Sequence, residues 1–432
     1  MTIRSDSQGN AGFVLDSNCP RGYRRTSEGE ELFQNAVQNL IKNLPDATKP
    51  WPSDGTLRCD LALEGGGVKG IALVAAVLVL DEAGYKVQRV AGTSAGAIAA
   101  CLIAALVQAG QDLTKLKTYV DSLQFKKFMP QSMLHRVLNL IPGSFGNDLW
   151  CALKLTTNTG LYSGDYLTGW LGPKLKELNV ETFAQLKITD DKDMSLPPER
   201  QYRLVVNTSD ITRGELVRLP WDADYYVKDP EAMSVVEAVR ASMSIPFFFR
   251  PVVFRTEDVT VFTPGPGGTT FPEHYKPGTV SWVDGGMLEN FPIDAFGRID
   301  DKPPRWPTIG LKLSNLETDY GPTKQCTSTP SEAVRCLKTM MNEWDRYSVE
   351  QETAARTIFI DNAGISATQF DLTEDEQNTL FRNGVQAATD FILEMGAYGH
   401  VPNTAAEEAE LIRWRKAVTI DSRKRGVAVQ KI

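Results

Sequence analysis

Two short segments combine a potentially reactive side chain with glycines that would allow close approach to it. Residues 92–96 read GTSAG, a GxSxG sequence in which Gly92 and Gly96 let the backbone turn sharply and project the Ser94 hydroxyl. Residues 284–286 read DGG, so that a carboxylate is followed by Gly285 and Gly286. A serine and a carboxylate can act as nucleophile and general base. Each motif alone is weak, because Gly-Ser and Asp-Gly pairs are common in turns.

A third segment, residues 64–70, reads EGGGVKG. Its consecutive glycines, Gly65, Gly66 and Gly67, free several backbone N–H groups to point at one anion, which suits an oxyanion or a phosphate. The helix predicted after the serine directs the positive end of its dipole at a developing oxyanion.

Gly65, Gly67 and Gly70 also satisfy the GxGxxG fingerprint of dinucleotide-binding folds. That interpretation requires an acidic residue at the end of the next strand to hold a ribose. The next strand instead ends in VAGTS, residues 90–94, without Asp or Glu. A Walker phosphate loop is excluded too, because Lys69 is followed by glycine.

The elements around these motifs alternate between strand and helix. Apolar patterning predicts strands at 57–63 and 86–91 and helices at 70–83 and 95–108, the order expected of a parallel sheet with right-handed crossovers. Further strands are predicted at 203–207, 215–219, 280–283 and 308–313, and a short helix at 234–243. Each chemical motif thus lies at the end of a strand, where loops build active sites.

Order and spacing of the three motifs resemble the patatin-like phospholipase family. More of the family pattern follows: Ala241-Ser242 before Pro246, and Asn290 and Pro292 after the DGG segment. The resemblance covers roughly residues 57–315 and implies an α/β fold, a three-layer α/β/α domain with a mainly parallel central sheet. It also implies a lipid acyl hydrolase of phospholipase A or lysophospholipase type.

The resemblance further implies a Ser–Asp dyad, with Ser94 as nucleophile and Asp284 as base, and no metal or other cofactor. Gly65, Gly66, Gly67 and Ala95 would form the oxyanion hole. The implied partner is a phospholipid or other acyl lipid, met through reversible contact with a membrane surface.

Two alternatives stay open at this stage. Ser94, Asp284 and His400 fit the chain order of an α/β-hydrolase triad, although His400 lies far outside the recognisable domain. A nucleotide- or lipid-binding module without catalysis would also use the glycine-rich segment.

Outside the resemblance, the sequence divides into an N-terminal extension at 1–55, an acyl hydrolase domain at 56–315 and a helical C-terminal segment at 316–432 with a basic tail. The extension is expected to be irregular except for an amphipathic stretch near 31–43. Residues 257–278, rich in Gly, Pro and Thr, are predicted to be a surface insertion. The apolar stretch 125–161 is expected to be a hydrophobic subdomain or a lipid-facing lid.

Composition restricts the partners. A net charge of -8 disfavours nucleic acid and gives no overall attraction to anionic membranes. The six cysteines form no CxxC pair and are expected to be free thiols in a reducing compartment. No signal peptide or membrane span is recognised, so a cytoplasmic protein with peripheral membrane contact is expected. The sequence indicates no oligomeric state.

Overall fold

The computed structural model describes residues 12–44, 55–128, 160–189, 197–264, 269–298, 304–313, 336, 339–340 and 353–424. The strands are β1 (Phe13–Leu15), β2 (Tyr23–Arg25), β3 (Arg58–Leu63), β4 (Lys86–Thr93), β5 (Gly160–Tyr162), β6 (Leu204–Asp210), β7 (Glu215–Leu219), β8 (Phe247–Phe249), β9 (Val252–Thr256), β10 (Val259–Pro264), β11 (Thr270–Tyr275), β12 (Gly278–Asp284), β13 (Thr308–Lys312) and β14 (Thr357–Phe359). The helices are α1 (Ser27–Lys42), α2 (Gly70–Glu82), α3 (Ala95–Gln108), α4 (Lys115–Asp121), α5 (Asp165–Glu177), α6 (Val235–Ser242), α7 (Glu374–Tyr398) and α8 (Ala405–Lys424).

A central eight-stranded sheet has the order β14-β13-β3-β4-β6-β12-β9, with β7 paired to β6 outside this path. Strands β14, β13, β3, β4 and β6 run parallel to one another. Strands β12 and β7 pair with β6 in antiparallel direction, and β9 pairs with β12 in the same way. The predicted α/β fold with a mainly parallel central sheet is therefore confirmed. Sequence patterning did not reveal that β12, which carries Asp284, runs against its neighbour β6.

The two faces of the sheet are covered differently. Helices α2 and α3 belong to the main core together with Leu61 and Leu63 of β3. Ala62, whose side chain points to the opposite face because strand residues alternate, packs with Phe291 and Ile293. Because both faces are covered, β3 and β13 are buried along nearly their whole length and read as continuous apolar runs.

Helix α2 is apolar on all sides up to Leu80, and ten of its thirteen residues are buried. It can be so because the C-terminal segment covers the side that α3 and the sheet leave open: α7 packs along it. The backbones approach closely at Gly384, where an added Cβ would lie 2.2 Å from the Ala72 carbonyl oxygen. Helix α7 begins with a capping box between Thr373 and Glu376. The segment also adds β14 to the sheet beside β13.

The N-terminal extension is more ordered than its sequence predicts. Strands β1 and β2 form an antiparallel hairpin, and α1 follows with the Thr26 side chain accepting from the Gly29 N–H. The Arg25 guanidinium lies 3.5 Å from the centre of the Phe33 ring and forms an ion pair of 2.9 Å with Glu82 at the end of α2. These contacts attach the extension to the main core, so the division at 56 and 315 stays a prediction about sequence segments.

Other predictions have mixed outcomes. The surface insertion at 257–278 contains the antiparallel hairpin β10–β11, whose Phe262 and Phe271 side chains are exposed. The hairpin lies between β9 and the beginning of β12, at the opposite end of β12 from Asp284. Most of the apolar stretch 125–161, most of residues 316–352 in the predicted helical segment and the end of the basic tail lie outside the described residues.

Candidate active site

Ser94 occupies the turn between β4 and α3. Its φ of 54° and ψ of -122° are strained values for a residue with a side chain, and Ser94 is 2% exposed. The neighbouring glycines allow this turn because no side chain fits there. An added Cβ would lie 2.4 Å from the Gly96 carbonyl oxygen at Gly92, and 2.3 Å from the Leu63 carbonyl oxygen at Gly96. This geometry is that of a nucleophile elbow.

Asp284 is the last residue of β12. The register pairs Asp284 with Thr208 on β6, and Asn207 of β6 pairs with Thr93 of β4. The antiparallel strand β12 therefore places the Asp284 carboxylate at the same end of the sheet as Ser94, which directly follows β4. The following Gly285 has no room for a side chain, because an added Cβ would lie 2.3 Å from the Asn207 carbonyl oxygen.

The Asp284 carboxylate is fully buried, and burial raises its pKa from 3.8 to about 7. The Ser94 hydroxyl and the Gly286 N–H, which donates to Oδ1 at 2.8 Å, oppose this rise. The Ser94 hydroxyl is near enough to lower the pKa of Asp284. Even so, Asp284 Oδ2 forms no hydrogen bond with any described residue. One carboxylate oxygen is thus fixed, and the other is available to accept a proton near neutral pH.

The structure bears on which amides of the glycine-rich segment are free to bind an oxyanion, and it corrects one of the predicted donors. The Gly65 N–H donates to the Asn290 carbonyl oxygen at 3.0 Å and is not free to bind an oxyanion. Within the described part of the chain, the N–H groups of Gly66, Gly67 and Ala95 have no hydrogen-bond acceptor. The oxyanion assignment therefore narrows to these three amides and stays a prediction.

Hydrogen bonds to the Glu64 carboxylate hold the beginning of the glycine-rich segment. Lys312 Nζ donates to Glu64 Oε1 at 2.6 Å, and the Leu313 N–H donates to Glu64 Oε2. Lys69 lies nearby, and burial lowers its pKa while the Glu64 carboxylate raises it. The Glu64 contacts attach the end of β3 to β13 and thereby hold the first residue of the glycine-rich segment.

Several side chains bind the backbone around Ser94 and Asp284. Ser242 Oγ accepts from the Ser94 N–H at 2.9 Å, and the Asn290 side-chain amide donates to the Gly65 carbonyl oxygen at 3.2 Å. Both residues belong to the resemblance pattern, but their contacts were not foreseen. Glu289 was missed entirely. Its carboxylate binds Arg218 through two bonds of 3.1 Å and accepts from Asn207 at 2.9 Å, which anchors the loop after Asp284.

An apolar cleft opens beside Ser94. It measures about 650 Å³, including the part open to solvent, and its walls are almost wholly aliphatic and aromatic. The lining side chains come from α2, α3, the 3₁₀ helix Phe125–Phe128, α5 and the chain near β8. They include Ile71, Val74, Ile98, Leu102, Phe125, Phe128, Trp170, Met243, Ile245, Phe249 and Phe370. Such a cleft can take an alkyl chain out of water.

His400, the third residue of the alternative triad, packs against a residue outside the candidate active site. Its ring packs 4.7 Å from the Tyr398 ring, just beyond the end of α7, and it does not line the cleft. Among the described residues, no group of three His, Cys, Asp or Glu side chains could hold a metal ion, and no helix is long and apolar enough to cross a membrane.

Comparison with known proteins identifies the family of this chain. The sequence model of the family described as patatin-like phospholipase matches residues 61–296, more than half of the chain. This chain belongs to the patatin-like phospholipase family. The match includes β4, α3 and β12, and thus both Ser94 and Asp284. The uncharacterized protein YqhO of Bacillus subtilis is 30% identical over 339 residues, which are 78% of this chain and 99% of YqhO.

Solved structures are more distant. VipD from Legionella pneumophila is 17% identical with a TM-score of 0.38, over 77% of this chain and 66% of VipD. Human GIVD cytosolic phospholipase A2 is 11% identical with a TM-score of 0.40, over 90% of this chain and 66% of that chain. At these TM-scores the family assignment rests on sequence alone.

Proposed function

We propose that this patatin-like protein is a lipid acyl hydrolase that cleaves fatty-acyl esters through a dyad of Ser94 and Asp284. The observation that carries the proposal is the placement of Ser94. A strained serine stands between a buried carboxylate with a pKa of about 7 and a cleft lined by apolar side chains. Membership of the family supports lipid hydrolysis as the general activity.

In the proposed reaction, Asp284 accepts the Ser94 proton as Oγ attacks the acyl carbonyl carbon. The N–H groups of Gly66, Gly67 and Ala95 stabilise the negative charge on the carbonyl oxygen. The tetrahedral intermediate collapses as the ester C–O bond breaks and Asp284 returns the proton to the leaving alcohol. Water then attacks the acyl-serine, giving up a proton to Asp284, and Ser94 recovers that proton as the fatty acid leaves.

The proposed substrate is a phospholipid or another acyl lipid, cleaved in the manner of a phospholipase A or a lysophospholipase. A lipid-panel assay with mass-spectrometric identification of products tests this, together with labelling of the protein by a fluorophosphonate. Wild type should release fatty acid and be labelled at Ser94, whereas Ser94→Ala should do neither. Ser281→Ala, on the same strand as Asp284 but three residues before it, is the matched serine control and should behave as wild type.

The outcomes separate the classes of function. Lipid binding without labelling or product would favour a non-catalytic binding module. Hydrolysis that survives in Ser94→Ala would show that the chemistry lies elsewhere in the protein.

A further inference from the structure

The residues between β14 and α7 reach the active site from outside the family match. This segment, residues 361–373, is called the C-terminal loop below, and the family match ends at residue 296. The loop is tied down at several points. Asn362 Nδ2 donates to the Leu313 carbonyl oxygen at 3.1 Å, Asn383 Nδ2 donates to the Asp361 carbonyl oxygen at 2.9 Å, and Gln369 Nε2 donates to Glu376 Oε1 at 2.7 Å. The loop is therefore held at its beginning and near its end.

The middle of the loop contacts the glycine-rich segment. The Val68 N–H donates to the Ala367 carbonyl oxygen at 3.1 Å. Gly67, with a φ of +58°, approaches this carbonyl so closely that an added Cβ would lie 1.9 Å from the oxygen. The C-terminal loop thus packs directly against the proposed oxyanion donors.

Phe370 extends from this loop into the wall of the apolar cleft that Ser94 also lines. It is 4% exposed. Its ring stacks on Phe248 with centroids 5.2 Å apart and an angle of 22°, and lies 5.5 Å from the Phe128 ring and 6.2 Å from the Phe249 ring. Three aromatic neighbours hold the ring in one position, so it acts as a rigid part of the wall and not as a mobile side chain.

We propose that Phe370 is a specificity-determining residue that limits the size of the acyl chain the cleft accepts. The inference rests on the proposed acyl hydrolase activity. A rigid aromatic wall excludes any methylene that would overlap it, because inserting extra atoms into a close-packed interior is energetically unfavourable. Replacing the ring with a methyl group opens space that is continuous with the cleft, and additional methylenes of a substrate can then leave water.

The test compares p-nitrophenyl esters from butanoate to palmitate as substrates for wild type and variants. Phe370→Ala should shift the maximum of kcat/KM to longer chains, with a gain of about fourfold for each additional methylene admitted, from roughly 0.8 kcal/mol per methylene. Phe370→Trp should shift the maximum to shorter chains. Leu372→Ala is the matched control: Leu372 is a buried residue of the same loop that does not line the cleft, and its variant should keep the wild-type maximum.

Fluorophosphonate labelling of Ser94 shows in each variant that the active site is assembled. If labelled Phe370→Ala keeps the wild-type maximum, or if Leu372→Ala moves it equally, Phe370 does not set chain length. Phe370→Trp carries the test alone if the alanine variant does not fold. A wild-type protein that is labelled and hydrolyses esters, with variants of unchanged preference, overturns this inference only. A wild-type protein that is neither labelled nor active overturns the proposed function as well.

Discussion

Replacing Asp284 with asparagine should abolish turnover and, at alkaline pH, increase the free energy of unfolding. Burial raises the pKa of this carboxyl from 3.8 to about 7. Between these pH values the folded protein retains a proton that the unfolded chain has released, so rising pH favours unfolding. Once the pH exceeds the folded-state pKa, the native protein holds an ionised carboxylate in a buried site and the whole cost is present.

The difference between 3.8 and about 7 corresponds to about 4 kcal/mol, because one pH unit is worth about 1.4 kcal/mol. Roughly 3 kcal/mol of this cost develops between about pH 5 and about pH 8.5. Asparagine does not titrate. The advantage of Asp284→Asn over wild type in the free energy of unfolding should therefore grow by about 3 kcal/mol between these pH values, as measured by urea unfolding at each.

Ser94→Ala is the control, because it removes the nucleophile and leaves the carboxyl in place. It should be inactive but lose stability with rising pH at least as strongly as wild type, because the Ser94 hydroxyl lowers the pKa of Asp284. In wild type, kcat/KM should rise with pH around a midpoint near 7, since only the ionised carboxylate accepts the serine proton. A midpoint near 4, or an advantage of Asp284→Asn that is equal at both pH values, would show that burial does not control this group.

Four further predictions follow from the site. In Gly66→Ala the added Cβ would lie 2.3 Å from Leu313 Cδ1 and displace the backbone N–H from the oxyanion, so kcat should fall by about 10²–10³ with little change in KM. Gly169→Ala, in α5 with open space around it, should not lower kcat. If Gly66→Ala changed KM alone, the glycine-rich segment would be a binding loop. His400→Ala should keep most of the activity that Asp284→Ala loses, and equal losses would favour the triad. Initial rates should survive a chelator, and strict dependence on added calcium or zinc would contradict the dyad mechanism. Rates on a short-chain phospholipid should rise above its critical micelle concentration with modest salt sensitivity, and a flat profile would indicate a monomeric ester substrate.

The turn that carries Ser94 and its supporting elements could be predicted because they depend on contiguous residues. The observed bounds of β3, α2, β4 and α3 agree with the sequence patterns to within two residues. Apolar runs and glycine spacing are local signals, and the strained turn at Ser94 follows from the GxSxG sequence in that setting.

Long-range relations could not be predicted in the same way. The direction of β12 is set by pairing with β6, more than seventy residues earlier, and a three-residue strand such as β14 has no periodicity to detect. The hydrogen bond from the Gly65 N–H to Asn290 and the position of Phe370 in the cleft wall depend on contacts between distant segments. Hydrophobic patterning shows that Phe370 is apolar, but not which apolar surface it joins.

The apolar surface of α2 also determines which segments of this protein must fold and unfold together. The family match begins within β3 and ends at residue 296, yet the helix at its centre is covered by α7, which begins at Glu374. Removing the cover would expose a side of α2 that is apolar from Gly70 to Leu80. A boundary of sequence similarity is thus not a boundary of cooperative folding, and a truncation placed there should yield an aggregating fragment. The segments outside the match should melt together with the catalytic core, in one transition.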